Sequence, residues 1–496
     1  MLDTHLTVRT DSPIGTISPR LYGHFAEHLG RCCYDGLWLG TEQTLVPTYG
    51  GFRKDVVDAL KAMPVPLLRW PGGCYADHYH WRDGIGERVR RLGLSCGLQV
   101  EDDNTLGTHE FMALCRLLGA EPYLAGNMGS GSVQELCDWV EYCNSGLNTS
   151  LAAERVANGA RKPFDVKLWG VGNENWGCGG NYDAETYARE YRRYATMLRH
   201  VDTTIELVAC GQEDEWNLKF LQTNQRWLNL MDHLSIHRYW IHGGPELNFT
   251  DEQYYGLLSE ADETEDFVKR TADYVMDALG TSSHRIGIAL DEWGVWHPEA
   301  RAWGPDGAEL HREPITYEQA GTLRDALSIG VTLEGFHHQC NVLTLANLAQ
   351  IVNVLHAPVM TDGAAMWVTP SYYALQLHLP HIGAEALPVD VTHGATMPGS
   401  SKGVSAVTAT ASSTEAGVAV TLVNRHISEG ASVVVNVAGM SRVANAGLLA
   451  GDSPRAVNSA QDPDCVKVAP LNVGADGAGL WRIELPAHSM ATVELA

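Results

Sequence analysis

Eight short apolar segments run through residues 18–380, each leading into polar or glycine-rich residues and then into a stretch with helical character. They read RLYGHF, VPLLRWPGG, EPYLAGNMG, VKLWGVGNE, IELVACGQ, DHLSIHRYW, RIGIALDEW and NVLTLANLAQ. Segments this apolar suit strands buried on both faces, as in a parallel sheet covered by helices. Between them, SVQELCDWVEYC places Val133, Leu136, Cys137 and Val140 on one helical face. Ser132, with Glu135 three residues on, forms a capping-box signature at its start. The run through Tyr187, Tyr191, Ala195 and Leu198 has the same period, behind Asp183 as an N-cap. Eight β-then-α units predict a (β/α)8 TIM barrel. A doubly wound open sheet is the competitor. No strand candidate leads into G-x-G-x-x-G or a phosphate loop, and polar groups crowd the ends of most strands, not a single switch point.

Beyond residue 380 the texture changes. VSAVTATAS, VAVTLVNR, ASVVVNVAG and WRIELPAHSMATVEL alternate with period two and are separated by Gly, Ser, Asn and Asp clusters. Residues 381–496 therefore read as an all-β, jelly-roll-like sandwich, which the strand-like HLTVRT of residues 1–17 would complete.

Charge and cysteine usage narrow the partners. A formal net charge of −25 disfavours nucleic-acid phosphates and anionic membrane faces. No uninterrupted apolar run approaches the ~20 residues of a membrane helix. MLDTHLTVRTDSPIG lacks the basic and apolar regions of a secretory signal. The eleven cysteines are scattered without C-x-x-C, so mostly free thiols in the cytoplasm are expected.

The chemistry-bearing residues sit at strand ends. LWGVGNENWGCGG carries Asn173 and Glu174 out of a strand, and IGIALDEWGVW carries Asp291 and Glu292 out of another. Carboxylates on two strand ends of one barrel can face each other across its axis, which glycoside hydrolysis requires. Tryptophans beside both offer stacking faces for sugar rings. The structural alternative is that each carboxylate pairs with a basic group. SIHRYW ends a further strand with His237 and Tyr239 on one face. A Tyr239 hydroxyl could hold an ionised carboxylate there, although packing is the commoner role of a lone Tyr.

His24-Phe25-Ala26-Glu27-His28 matches H-x-x-E-H, an inverted zinc-peptidase pattern. That motif needs a helix, and here the segment reads as the first barrel strand. Extended, the two histidines would stand ~13 Å apart, too far for one ion with ~2.0–2.1 Å bonds. No metal ligand set is expected here or at His78/His80 and His337/His338, and no calcium-loop pattern occurs.

GHFAEHLGR, LRWPGGCYADHYHWRDGIG, GTHEFM, GNMGSGSVQE, WVEYCN, WGVGNENWGCGGN, DEWGVW and ANLAQIVNVL, in this order, resemble glycoside hydrolase family 51. Its members are chiefly α-L-arabinofuranosidases built as a (β/α)8 barrel with a β-sandwich. The resemblance implies a retaining, exo-acting enzyme releasing L-arabinose from arabinofuranosyl oligosaccharides and hemicellulose fragments, with no cofactor. It implies Glu174 as general acid/base, Glu292 as nucleophile and Asn173 at the sugar 2-hydroxyl. Glu27 and the residue at Cys74 would hold arabinose hydroxyls. Arg69 would support the nucleophile and Tyr239 orient it, with His237 completing the H-x-Y motif. Trp296 and Gln350 would line the furanose pocket. A homo-oligomer, often a hexamer, is implied too. Cys stands at 74 where some relatives carry Asn, and a redox-linked contact between Cys74 and Cys178 is a further expectation. Within enzymes, a β-xylosidase, another furanosidase or an endo-glucanase fits the same acid pair. A catalytically dead carbohydrate-binding protein is the alternative from another class.

Overall fold

The computed structural model describes residues 1–63, 65–399 and 403–496. Eight parallel strands close into a barrel in sequence order: β1 Gly23–Phe25, β2 Leu67–Trp70, β3 Glu121–Gly126, β4 Leu168–Val171, β5 Glu206–Ala209, β6 His233–Trp240, β7 Gly287–Val295 and β8 Leu343–Ala349. Seven fall inside the apolar segments, β7 runs two residues past its own, and β8 pairs back to β1 through Asn347 and Gly23. Leu67, Tyr123, Leu168, Val208, Ala289 and Leu345 fill the barrel interior as one packed cluster. The barrel is thus plugged, and the chemistry is confined to its rim.

Helices follow the strands around the outside, and their starts obey the local sequence. Ser132 Oγ accepts from the Glu135 amide at 3.1 Å ahead of helix Val133–Asn144. Asp183 Oδ1 accepts from the Thr186 amide at 2.7 Å ahead of helix Ala184–Val201. The face carrying Tyr187, Tyr191, Ala195 and Leu198 is buried, as its 3.6-residue period requires. None of the described helices is long and apolar enough to cross a membrane.

Two antiparallel-rich sheets form the second unit. Strand Leu2–Val8 lies in the five-stranded sheet, between Val389–His393 and Ala431–Val437, and pairs with the latter in parallel. The seven-stranded sheet holds Val407–Thr414, Gly417–Asn424 and Ser489–Leu495 at its centre. Inward valines, leucines and isoleucines of the two sheets make their own core. The sandwich also uses Val443–Leu449 and Val473–Gly477, which the period-two reading does not reach.

Three buried histidines join the barrel side to this sandwich. His337 lies in the last turn of helix Leu323–His338, and its ring bonds Tyr22 at 2.8 Å and Thr410 at 2.7 Å. His381 bonds Ser412 and Thr421, both at 2.8 Å. His378 stands between, its ring centroid 5.7 Å from that of His381. Burial pushes His337 and His381 well below the ordinary imidazole value and His378 down to about 4, the neighbouring rings adding to the effect on the first two. With folded-state values depressed, the unfolded chain binds more protons, so their contribution is complete above pH ~6.5 and is lost as pH falls toward 4. The thermal midpoint is therefore expected to drop steeply between pH 6.5 and 4.5. For His378 alone the loss over the full window is on the order of 3 kcal/mol. A His378→Gln chain should show a flatter profile over that window; an unchanged slope would contradict the assignment.

Candidate active site

Every barrel strand except β3 delivers a side chain to one cavity or to its immediate backing, from within the strand or just beyond its C-terminal end. Glu27 follows β1, Cys74 follows β2, Asn173 and Glu174 follow β4, and Gln212 follows β5. His237 and Tyr239 lie within β6, Glu292 within β7, and Gln350 follows β8. Glu27, Cys74, Glu174, His237, Tyr239, Glu292, Trp296 and Gln350 line one cavity of about 600 Å³. Arg69 and Asn173 stand behind the lining and are both buried.

Glu292 is the most constrained carboxylate. Arg69 Nη1 donates to Oε1 at 2.9 Å, and the Tyr239 hydroxyl donates to Oε2 at 2.8 Å. Burial works to raise its carboxyl, but His237, Arg69 and Tyr239 outweigh burial and keep it below the usual range. An ionised carboxylate, aimed by two fixed donors, is suited to attack. Arg69 is itself held: its Nη2 donates to Asn173 Oδ1 at 2.5 Å, and its guanidinium lies 4.5 Å from the centre of the Phe25 ring. The backbone must pass very close here. A β-carbon on Gly73 would lie 2.6 Å from Glu292 Oε1, so position 73 admits no larger residue without displacing that carboxylate.

Glu174 faces it from β4. Its φ of +40° is the left-handed region, uncommon for a residue with a side chain, and turns the carboxylate away from the strand direction. His237 Nδ1 lies 2.8 Å from Glu174 Oε1 and 3.6 Å from Glu292 Oε2, bridging the two acids. Burial lowers the His237 pKa, yet Glu292 and Glu174 together raise it above the ordinary value. One oxygen of Glu174, one of Glu292 and a ring nitrogen of His237 all lie within 4.8 Å of one another. The side chain of Glu174 is 20% exposed against 8% for Glu292, so Glu174 is the more solvent-open of the two acids.

Glu27 closes the far wall. Its Oε1 accepts from the amides of Gly73 and Tyr75, each at 3.0 Å, and from Ser95 Oγ at 2.9 Å. Gln350 Nε2 donates to Oε2 at 2.9 Å. Burial and the nearby Glu292 push Glu27 up to about 7 against these donors. Trp296 meets Tyr239 edge-on with centroids 5.0 Å apart and makes an apolar wall.

The H-x-x-E-H segment behaves unlike a metal box. The extended part stops at Phe25, earlier than expected, and the Leu29 amide bonds the Glu27 carbonyl in a turn. His28 Nδ1 lies 2.6 Å from Asp102 Oδ2, and Nε2 accepts from the Trp70 indole at 3.0 Å. Among the described residues, neither His24 nor His28 belongs to a group of three or more side chains placed to hold an ion.

Cys74 lies where the sequence expects it, and its expected redox link to Cys178 is present, in contrast to the free thiols expected of most of the cysteines. Its sulfur is bonded to Cys178, with Cα atoms 5.4 Å apart. A disulfide sulfur carries no proton, so Cys74 in this state offers a sugar hydroxyl at most a weak acceptor. Trp176, the tryptophan beside Glu174, lines the cavity as expected, whereas sequence reasoning missed Cys96, Gln212, Trp303 and Leu355, which also line it. Trp303 packs edge-on against Trp296 at 5.1 Å. It sits in a glycine- and proline-punctuated loop with no periodicity to mark it. Trp176, two residues past Glu174 in the same glycine-rich turn, carried a local signal.

Two family models match the chain: "Alpha-L-arabinofuranosidase 1 domain" over residues 59–255 and "Alpha-L-arabinofuranosidase C-terminal domain" over residues 291–489. The chain is 39% identical to an intracellular exo-α-L-arabinofuranosidase of Bacteroides ovatus, over 99% of this chain and 95% of that protein. It superposes with a TM-score of 0.91 on a GH51 arabinofuranosidase from Xanthomonas axonopodis pv. citri, 34% identical, with full coverage of both chains. An arabinose complex of an α-L-arabinofuranosidase from Thermotoga maritima gives a TM-score of 0.87 at 30% identity, again over both chains entirely.

Proposed function

The chain belongs to the α-L-arabinofuranosidases of glycoside hydrolase family 51, and from that premise we propose that it is an exo-acting, retaining enzyme working by double displacement. The observation that carries this reading is the acid pair. An oxygen of Glu174 and one of Glu292 approach within 4.8 Å. Retaining pairs stand ~5–5.5 Å apart, whereas an inverting pair needs ~6.5–9.5 Å to seat a water.

In this mechanism Glu174 gives its proton to the glycosidic oxygen while Glu292 attacks the anomeric carbon. The arabinosyl group is then esterified to Glu292 with inverted, β configuration. Glu174, now a carboxylate, takes a proton from water, which attacks the same carbon and restores the α configuration. His237, between the two acids, favours the ionised form of Glu292. Arg69 and Tyr239 keep Glu292 charged and aimed for the first half and stabilise it as the leaving group in the second. Asn173 is assigned to the 2-hydroxyl, where hydrogen bonds strengthen in the transition state. Glu27, Gln350 and Trp296 hold the remaining face of the furanose, with Cys74 at its edge.

The substrates are arabinofuranosyl oligosaccharides and hemicellulose fragments with a free non-reducing arabinose, processed in the cytoplasm by a homo-oligomer. An exo mode suits a cavity that Glu27, Trp296 and Gln350 line on one side. Proton NMR of the first turnover of an aryl α-L-arabinofuranoside tests the stereochemistry. α-L-arabinofuranose should appear first and mutarotate afterwards; β-arabinose as the first product would overturn double displacement. The matching aryl β-xyloside and β-glucoside, run beside it, should turn over far more slowly. A faster xyloside or glucoside would replace the substrate assignment and leave the stereochemical one standing.

A further inference from the structure

The disulfide touches the proposed acid/base. Cys74 leaves β2 and Cys178 leaves the turn after β4, so a sequence separation of 104 residues is closed at the rim of the cavity. Cys74 Sγ lies 4.0 Å and Cys178 Sγ 3.9 Å from the same oxygen, Glu174 Oε2. The nine other cysteines of the described residues are free thiols, most of them buried. Cys178 is exposed and Cys74 and Glu174 are half-buried, so a small reductant or ion reaches all three.

Once reduced, these three side chains have the composition of a borderline-soft metal site: two thiolates and a carboxylate. Their spacing suits one as well. In a tetrahedral zinc site, bonds of ~2.3 Å to sulfur and ~2.0 Å to oxygen set sulfur–oxygen separations near 3.5 Å and sulfur–sulfur separations near 3.8 Å. The two sulfur–oxygen distances already stand within about half an ångström of that value. The sulfurs, freed from each other, need only rotate apart about their Cα–Cβ bonds. A fourth position facing the cavity is left for water.

We propose that the reduced Cys74–Cys178 pair and Glu174 form an inhibitory binding site for a thiophilic divalent cation such as Zn²⁺ or Cd²⁺. Two balanced steps lead to it. A dithiol reductant passes two electrons and two protons to the disulfide, giving two thiols and its own disulfide. The cation then displaces the two thiol protons, which leave to solvent, and bonds two thiolates and Glu174 Oε2. The disulfide form offers no thiolate, so it lacks the site. The bound ion occupies the oxygen through which Glu174 would carry its proton, and the first chemical step stops. The inhibitory half of this inference rests on Glu174 as acid/base; the binding half rests on geometry alone.

The test compares the full-length protein in two states, the disulfide form and the form reduced with dithiothreitol and freed of it without air. Each is titrated with Cd²⁺, followed by the ultraviolet thiolate-to-cadmium band and by calorimetry. The nine other thiols are common to both states, so the difference reports the pair alone. The reduced form should bind one additional equivalent with two thiolates, and release two protons with it. Its half-inhibiting Cd²⁺ concentration should be lower by on the order of 100-fold. Cys178→Ser and, separately, Cys74→Ser should each lose the additional equivalent under reducing conditions, and Glu174→Gln should keep the thiolate band at weaker affinity. Equal Cd²⁺ stoichiometry in the two redox states overturns the proposal, as does an additional equivalent that survives in Cys178→Ser. If the band appears on schedule but activity is unaffected, the inhibitory claim fails and the binding site stands.

Discussion

Replacing Glu292 by glutamine is expected to lower kcat/KM on an aryl α-L-arabinofuranoside by roughly 10⁴- to 10⁶-fold, the loss seen when a covalent nucleophile is removed. Size and sidedness follow from the surroundings. Glutamine is nearly isosteric, so the Tyr239 contact to Oε2 and the Gly73 close approach survive in outline. What vanishes is the charge that Arg69 and His237 stabilise. The Glu292→Ala chain adds a second, stereochemical readout. With azide in the vacated space, one displacement at the anomeric carbon should yield β-L-arabinofuranosyl azide, with inversion. Activity within about tenfold of the parent in the glutamine chain would remove Glu292 from the mechanism, because no other explanation leaves so small a loss.

Glu174→Ala is expected to behave differently, and the difference identifies its role. A general acid matters in proportion to the basicity of the leaving oxygen. On an oligosaccharide the loss should reach about 10³- to 10⁴-fold, whereas on a dinitrophenyl arabinofuranoside the first step needs little help. The arabinosyl ester on Glu292 should then accumulate, giving a burst followed by a low steady state and a depressed KM. Azide needs no general base, so it should restore turnover and produce α-L-arabinofuranosyl azide, two inversions from an α substrate. The opposite anomers from the two alanine chains separate acid/base from nucleophile without any structure. The same α-azide from both would sink the assignment.

Much of the barrel is legible because its strands are buried on both faces. Runs such as Leu168–Val171 and Ile288–Leu290 need be apolar throughout, and glycine or polar residues then mark where each strand opens to the rim. The sandwich is legible only where alternation is strong, as in Val407–Thr414 and Ala431–Val437. Val443–Leu449, reading VANAGLL, has little intrinsic strand character and becomes a strand because Ser489–Leu495 offers it an edge. The site divides the same way. Glu174, just past β4, and Glu292, near the end of β7, carry a recognisable local pattern. Trp303, Cys96 and Leu355 reach the cavity from loops whose paths depend on distant packing. The Cys74–Cys178 link belongs to the first group. No spacing rule joins residues 104 apart, but both follow strands that open onto the same rim, which is enough to expect their sulfurs to meet.

The strand Leu2–Val8 sets an order on assembly. Its partners are Val389–His393 and Ala431–Val437, on the far side of the whole barrel in the chain. The five-stranded sheet therefore cannot close while only the barrel residues exist, and its first strand stays solvated throughout that interval. Its ladder is a contact of maximal sequence distance, whose loop-closure cost is lowered only when the barrel has already condensed and carried residues 8 and 389 close together. The barrel thus acts as a folded spacer between the two halves of one ladder, and Leu2–Val8 is the clasp that ties the chain's start to its end.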